Sequence, residues 1–538
     1  MVNCSSDTMC LSCGIGSLPD PQNFRSPRVS TLLHQNGYPE TDERAAFESI
    51  VKNGEDVLVD LDMRIDEARQ LLESLLIERR RATTHIDDAK TILHPVRALS
   101  DDILHEIFSW CVYDWDDIVS RRCYPHESLN TCHPPWTLAC ISRKWRDITL
   151  SSPLLWSTLI LDFPKYAKAM VTERMCLFRL GIYLQRSKDC DLSVSIHSRY
   201  PSILDHPPFT LLAVSASRWK HLRVNMGPIS LQDFSGSVFL RLNTLYVRFN
   251  GKPTSSQRRI SVDTFQTAPH LQYFSSTGDV ALYHTLHLPW SKLTTYACDD
   301  TASERSWDVL RKLKATTTLI LRCQGSADFP DSPVVMVSVL RVTVEEKQNS
   351  LTGSISRVFQ CLQVPSLKHL NLIFPSRRII QFPDLGASSA SLTSIQLSCN
   401  FLYNPENTAC FIRFLETAIH VESLCLHMSE LPINLLIGLT RMSDHDLILP
   451  ALRILTLSPH VPRFEPKLFF WMLESRYEDR NDGGSDISNS PGRDLSVQRE
   501  LLQELRFKSF SALPFNSLDD HMHWDRICKE LKVIYESM

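Results

Sequence analysis

Cysteines and histidines are the residues of this chain whose spacing could hold a metal ion. Cys10 and Cys13 form a C-x-x-C pair, which is half of a structural zinc site. A complete site needs four ligands, and no second C-x-x-C or H-x-x-x-H pair occurs in the chain. We therefore predict no metal site and no cofactor. Two pairs of closely spaced histidines are interpreted as surface or interface residues: His284 with His287, and His521 with His523.

Motifs that carry catalysis are also absent from the sequence. There is no G-x-x-x-x-G-K-[ST] phosphate loop, no G-x-G-x-x-G, no H-E-x-x-H and no G-x-S-x-G. Only 16 of the 538 residues are glycine, so few positions could form a phosphate-binding loop. We expect a protein that is not an enzyme and has no catalytic residues. An undetected hydrolase within residues 160–538 is the alternative, and only the length of that region supports it.

Charge and hydropathy exclude other classes of partner. The net charge is −4, and no long run of one sign occurs, which argues against a nucleic acid or a membrane surface held by bulk charge. The first 20 residues lack the basic and apolar segments of a secretory signal, and no run reaches the ~18 apolar residues of a spanning helix. We expect a cytoplasmic and/or nuclear protein.

Composition further predicts a disordered tail over 1–45 and a flexible loop over 477–494.

The region after the predicted tail has the pattern of one long helix. Apolar residues from Leu58 to Leu93 alternate in steps of three and four, with Arg79 as the polar interruption. No Gly or Pro occurs between Gly54 and Pro95, so we predict a heptad helix over 56–93, about 55 to 60 Å long. A coiled coil that joins two chains through 58–93 fits this pattern. A helix packed on the rest of the same chain is the alternative.

A hexapeptide of the form L-x-x-L-x-L recurs along the chain after residue 155. Its copies begin at residues 219, 242, 271, 293, 316, 337, 367, 392, 421, 452 and 502. Recurrence of a strand-sized motif every ~20 to 30 residues is typical of a leucine-rich-repeat solenoid. We predict an α/β fold in which residues 161–538 form an irregular solenoid of this kind with a parallel sheet.

Short amphipathic helices are predicted between the heptad helix and the repeats. Ser100 is a good N-cap, and Asp101 and Asp102 follow in the first turn, where carboxylates favour the positive end of the helix dipole. The segment WTLACISRKWRDI, residues 136–148, predicts a second helix with one apolar side. PLLW, residues 153–156, follows it. We expect a small all-α module over 94–160.

These blocks together resemble the F-box family. The match is carried by Leu99, Asp102, Ile103, Leu104, Ile107 and Phe108, then by Ile141, Ser142, Arg143, Lys144, Trp145 and Arg146, and then by Pro153, Leu154 and Trp156. With its heptad helix and its leucine-rich tail containing LQRSKDCDLSVSI at 184–196, the chain is similar to F-box proteins of mushroom-forming fungi. It departs from the family at Ser100, where a proline is usual, and in its long link from Trp115 to Pro135.

The resemblance implies a docking function. F-box helices bind the Skp adaptor of cullin ubiquitin ligases through a mainly apolar surface, while the C-terminal repeats hold a protein substrate for ubiquitin-dependent degradation. On this basis the adaptor-binding set, or its immediate support, is Pro95, Leu99, Ile103, Leu104, Ile107, Phe108, Ile141 and Trp145. For each of these residues, packing within the module itself is the alternative.

Side chains between the repeat leucines would face the concave surface of a solenoid. The candidates for substrate binding are Tyr246, Arg248, Arg322, Arg341, His369, Asn371, Gln396 and His427. This mixture of aromatic, basic and amide groups suits a protein partner of unknown identity. The favoured function is a non-catalytic substrate receptor. The alternative is a ubiquitin-independent scaffold that uses the F-box-like module and the heptad helix.

Overall fold

The structure is a computed structural model, and it describes most of the chain after residue 26. The described residues are 27–120, 127–163, 170–198, 203, 206–227, 231–249, 261–277, 286–299, 304–323, 329–347, 353–374, 380–399, 404–428, 430–441, 448–458, 464–477, 501–508 and 517–536. The chain divides into two compact units, Met1–Ser100 and Asp101–Met538. The predicted boundary between 160 and 161 therefore falls inside the second unit.

The first unit is dominated by one long helix. A short helix, α1, covers Pro27–Gln35, and α2 covers Thr41–Ile92. The backbone N–H of Glu40 donates to the Glu43 carboxylate at 3.1 Å, which closes the first turn of α2. The long helix thus begins well before the predicted start at 56, and α1 and α2 enter the predicted 1–45 tail, whose residues 1–26 lie outside the described part. A 3₁₀ turn, Pro95–Ala98, follows.

Among the described residues, four helices open the second unit. They are α3 (Asp101–Cys111), α4 (Trp115–Ser120), α5 (Pro134–Ile141) and α6 (Arg143–Ser151), followed by a 3₁₀ turn at Pro153–Trp156. As predicted, α3 begins directly after Ser100. Pro134 stands at the start of α5, where its missing N–H costs no helical hydrogen bond. The hydroxyl of Ser142 accepts from the Trp145 backbone N–H at 3.2 Å and so begins α6.

The rest of the second unit is built on strands that follow the chain. Their bounds are β1 Thr158–Asp162, β2 Leu192–His197, β3 Trp219–Met226, β4 Thr244–Phe249, β5 Tyr273–Thr277, β6 Thr295–Cys298, β7 Thr318–Cys323, β8 Val334–Val335, β9 Arg341–Glu346, β10 Leu362–Gln363, β11 His369–Phe374, β12 Ser394–Cys399, β13 Ser423–His427, β14 Ile454–Ser458, β15 Glu504–Lys508 and β16 Lys532–Glu536. The two-residue strands β8 and β10 pair with each other in parallel. Within the described ranges, all the others form one 14-stranded parallel sheet in chain order.

Helices in the connections complete the second unit. They are α7 (Met170–Arg186), α8 (Pro207–Val214), α9 (Glu304–Lys312), α10 (Ser354–Cys361), α11 (Pro405–Glu416), α12 (Ile433–Leu439), α13 (Pro466–Tyr477) and α14 (Leu518–Glu530). The predicted loop at 477–494 begins at the last residue of α13, and its remainder lies outside the described residues. In the part of the chain that the structure describes, no helix is long and apolar enough to cross a membrane.

The core of the sheet is formed by the repeat leucines. Burial alternates along the central strands, so that every second side chain points into the core. Leu370 pairs with Val342 on one side and with Ile395 on the other, and Leu372 continues the next row with Val344. Burying each such side chain contributes about 1.5–3 kcal/mol. A parallel sheet in chain order with these apolar rows is a leucine-rich-repeat-like solenoid, as the recurrence of the hexapeptide predicted.

Candidate protein-interaction surfaces

The helices α3, α5 and α6 hold one another in place through a small shared core. Phe108 of α3 is fully buried, and its ring lies 4.7 Å from the ring of Trp145 on α6. The Arg146 side chain donates from Nε to the Ala139 carbonyl oxygen at 2.9 Å, which joins α6 to α5. These contacts fix the faces that the helices present to solvent.

The outward side of α3 is apolar. Ile103 and Ile107 are 47% and 41% exposed, and Trp110 is 82% exposed. They stand four and then three residues apart, so they form one stripe along the helix. We call these three residues the α3 stripe. Large apolar side chains grouped on one exposed helical face are typical of a surface that a partner covers.

The predicted adaptor-binding residues divide between surface and core. Ile103, Ile107 and Ile141 are exposed, whereas Leu104 and Phe108 are buried and Trp145 is half-buried. Leu104 and Phe108 are therefore placed to support a docking face, which is one of the two roles predicted for this set. In the first unit, Pro95 is exposed and Leu99 is half-buried. Leu154, in the 3₁₀ turn after α6, is also exposed.

Trp156 joins the helical segment to the sheet. Its indole N–H donates to the Thr149 carbonyl at 2.9 Å, and its ring is fully buried against Tyr183 of α7 at 5.1 Å. The Arg186 guanidinium lies 4.4 Å from the centre of the same ring, at cation–π distance. Trp156 thus packs the end of α6 against α7, and the Tyr183 hydroxyl of α7 donates to the Thr158 carbonyl oxygen of β1 at 2.8 Å.

Part of the long link between the helices is also tied to the sheet. Trp115, at the start of α4, stacks on His221 of β3 with ring centres 5.0 Å apart, and meets Tyr246 of β4 at 5.7 Å. Arg223 donates to the Ile118 carbonyl oxygen. Further along the link, the Ser128 hydroxyl accepts from the Ile160 N–H of β1 at 2.8 Å. The link that departs from the F-box pattern in length is therefore anchored at two places on the sheet.

The sheet has a polar face opposite the buried leucine rows, and all eight predicted substrate-binding residues lie on it. The pairing of the strands places them in three adjacent rows: Arg341 beside His369; Tyr246, Asn371 and Gln396; and Arg248, Arg322 and His427. The alternation of leucines predicted this common face because a strand points successive side chains to opposite sides. Which of these residues bind a partner stays a prediction.

Three of the predicted residues, Tyr246, Arg248 and Arg322, line one cleft. Its volume is about 560 Å³, and its other polar lining side chains are Arg223, Ser275, Thr277, Asp299 and Lys347. Val119 of α4 forms one wall. Among the described residues that line it, there are thus four cationic side chains and one carboxylate. We call this the basic cleft.

A network of ion pairs organises the basic cleft. Asp299 accepts from Arg322 at 3.0 Å and from Lys347 at 2.9 Å, and Arg322 also donates to Glu345 at 3.1 Å. Burial lowers the pKa of the Arg322 guanidinium, but the carboxylates of Asp299 and Glu345 more than offset this and raise it. Arg322 is therefore held in place by two carboxylates. Arg248 is exposed and forms no ion pair within the described residues.

Histidines on the polar face favour the neutral form. Burial lowers the pKa of His221, His369 and His427 below the usual 6.5, and neighbouring lysine or arginine charges add to the effect. His427 also contacts the Gln396 side chain, with Nε2 atoms 2.9 Å apart. Near neutral pH these rings act as hydrogen-bonding groups and not as cations.

Metal-ligand groups do not gather in the described part of the chain, where no cluster of three His, Cys, Asp or Glu side chains could hold an ion. Cys10, Cys13 and His284 lie outside the described residues. The structure gives two of the remaining histidines acidic partners that are distant in sequence: Asp263 for His287 and Glu474 for His523, each at 2.6 Å.

Comparisons with known proteins add little to this geometry. No protein-family model matches the chain, and no curated protein matches it. One solved structure, titled "Crystal structure of TLR13-ssRNA13 complex", is similar at 14% identity with a TM-score of 0.31. The match covers 64% of this chain and 48% of the matched chain. This chain therefore spans about half the length of the matched protein. Such a loose overlap supports no conclusion about function.

Several side chains of these surfaces were not among the predicted residues. Arg223 stands between the last two apolar residues of WKHLRV, so the alternation rule used for Tyr246 could have found it. Lys347, Asp299 and Glu345 lie at or just beyond strand ends, where the hexapeptide gives no guide. Trp115 contacts residues more than 100 positions later, and no local pattern predicts that contact.

Proposed function

We propose that this chain is a non-catalytic substrate receptor that docks through an F-box on the Skp adaptor of a cullin ubiquitin ligase. The observation that carries the proposal is the α3 stripe, because Ile103 and Ile107 face solvent while Leu104 and Phe108 of the same helix anchor it. We infer the identity of the partner from the residues that resemble an F-box, because they occur along the chain in the order found in that family.

The polar face of the sheet is the proposed substrate surface. It offers aromatic, amide and charged groups over many parallel strands, which suits a protein partner better than a small apolar ligand. Within it, the basic cleft favours an acidic segment of that partner, since Arg248 has no ion-pairing carboxylate in the described residues. Ubiquitin transfer would be carried out by other subunits, and this chain would contribute proximity and orientation.

Co-purification from cells tests the proposal. We expect the wild-type chain to recover the Skp adaptor and cullin, and an Ile103→Asp, Ile107→Asp variant to lose both. The matched control is Ile433→Asp, Ile437→Asp on α12, because those isoleucines have the same spacing and are 53% and 41% exposed. Equal recovery of the adaptor by all three chains would refute the docking site.

A second candidate is a scaffold that retains the adaptor without a cullin. The observation that favours it is α2, a 52-residue helix with no buried residue. Such a helix needs a partner if its apolar side chains are to leave water. The presence or absence of cullin beside the adaptor in the same purification separates the two functions.

A further inference from the structure

The long helix α2 exposes most of its apolar side. Six of its apolar seam residues are between 46% and 61% exposed: Val51, Leu58, Ile65, Leu72, Leu75 and Ile86. Phe47 extends the same pattern of steps of three and four toward the N-terminus of the helix. A seam of this length, at 1.5 Å per residue, runs for about 70 Å. We propose that a second copy of this chain covers the seam and runs antiparallel to the first.

The charge of α2 opposes a parallel pair. Residues 41–66 carry eight acidic and three basic side chains, a net charge of −5, whereas residues 67–92 carry five of each. A parallel pair in register places the two acidic halves side by side. It also sets Arg79 against Arg79 of the second copy in the seam, and Arg64 against Arg69 across its flank. An antiparallel pair instead sets each acidic half against a neutral one.

Steric complementarity selects one antiparallel register. Arg79 is the large polar residue of the seam, and Gly54 is the seam position without a side chain. They face each other when the two residue numbers of each facing pair add to 133. In that register each heptad position a of one helix faces a position d of the other. Glu55 of the second copy follows that Gly54 and places a carboxylate beside the Arg79 guanidinium. Gly54 has no heavy atom within 4 Å of where a Cβ would stand, so the space is open.

The same register matches the remaining seam residues by size. Phe47 meets Ile86, Val51 meets Ala82, Leu58 meets Leu75, and Ile65 meets Ala68, each across the two copies. On the flank, Asp62 lies about 3 Å along the axis from Arg69 of the second copy, which adds two symmetric ion pairs. Size, charge and the open space at Gly54 therefore agree on one arrangement.

The arrangement has a functional consequence that does not depend on the adaptor. Leu93 of one copy lies level with residue 40 of the other, so the two C-terminal ends of α2 are about 80 Å apart along the axis. The pair thus presents its two following segments at opposite ends. A parallel pair would present them side by side.

Cysteine cross-linking in the full-length chain tests the pair and its direction. Val51→Cys with Ala82→Cys should form an oxidised covalent dimer whose linked peptides join residues 51 and 82. Those positions are about 46 Å apart within one helix, so the link can form only between chains. Val51→Cys alone should not cross-link to itself beyond the background of the wild-type cysteines. Light scattering should give twice the monomer mass at micromolar concentration.

A charge exchange on the flank provides an independent measurement. Asp62→Arg should raise the dimer dissociation constant about tenfold because two ion pairs become repulsive. Arg69→Asp in the same chain should restore the wild-type value, since the pairs are re-formed with opposite sign. A monomeric wild-type chain, a cross-link by Val51→Cys alone, a dimer without the 51–82 link, or no restoration would each overturn the proposal. Adaptor recovery by the same chains would still report on the proposed function separately.

Discussion

Phe108 and Trp145 lie ring against ring, with centres 4.7 Å apart and planes tilted by 53°. This contact sets α3 on α6 and so directs Ile103 and Ile107 to solvent. Phe108→Ala should lower the free energy of unfolding by about 3–5 kcal/mol, because it opens a cavity in a fully buried place. Chemical denaturation of the full chain measures this loss, and Ile107→Ala is the control, expected within about 1 kcal/mol of wild type. A loss of that small size for Phe108→Ala would contradict the anchoring role.

Trp115 should control the titration of His221. Burial is the largest cause of the lowered pKa of His221, and the Trp115 ring stacks on the imidazole. Trp115→Ala should raise that pKa toward 6.5, as followed by NMR of labelled histidine. Because the fold favours neutral His221, the contribution of this residue to stability is fully present above about pH 6.5 and is lost as the pH drops through the lower folded pKa. Trp115→Ala should flatten this fall, whereas Trp110→Ala, on the exposed stripe, should not.

The basic cleft depends on Asp299. Asp299→Asn removes a carboxylate that accepts from Arg322 and Lys347, so the free energy of unfolding should fall by about 2 kcal/mol. Denaturant titration measures this change. Asp331→Asn, at an exposed position, is the matched control and should leave stability unaltered. Equal stability of the two variants would show that the network does not hold the cleft together.

Arg248 is the cation of the cleft best placed to reach a partner. Arg248→Glu should reduce the recovery of proteins that accumulate when the proteasome is inhibited, with no change in the thermal unfolding midpoint. Arg357→Glu, on the exposed side of α10, should leave recovery intact. If both variants recover the same proteins in the same amounts, the substrate surface lies elsewhere.

The repeat strands were largely predictable because the pleat of a strand forces leucines to alternate with polar residues. All eleven hexapeptides overlap strands of the one sheet. Within this sheet, the strands that the pattern missed are β1, β2 and β16. The first four residues of β1 are all buried, so it shows no alternation. The edge strand β16, KVIYE, has three apolar residues in succession, which also do not alternate with polar ones.

The surfaces were less predictable than the strands. The apolar pattern of α3 groups Ile103, Leu104, Ile107 and Phe108 on one broad face, but the fold buries the second and fourth and exposes the other two. Periodicity alone cannot divide such a face, because the division depends on where α6 packs. The anchoring of the link by Trp115 depends in the same way on contacts between distant parts of the chain.

The affinity of the purified full-length chain for the purified Skp adaptor tests the central claim most directly. Titration calorimetry should give saturable binding for the wild type and for Ile433→Asp, Ile437→Asp. For Ile103→Asp, Ile107→Asp we expect a dissociation constant at least about a hundredfold higher, since two apolar contacts are replaced by charges that the interface must desolvate. Equal affinity of all three chains, or no binding by the wild type, would contradict the assignment of α3 as the docking helix.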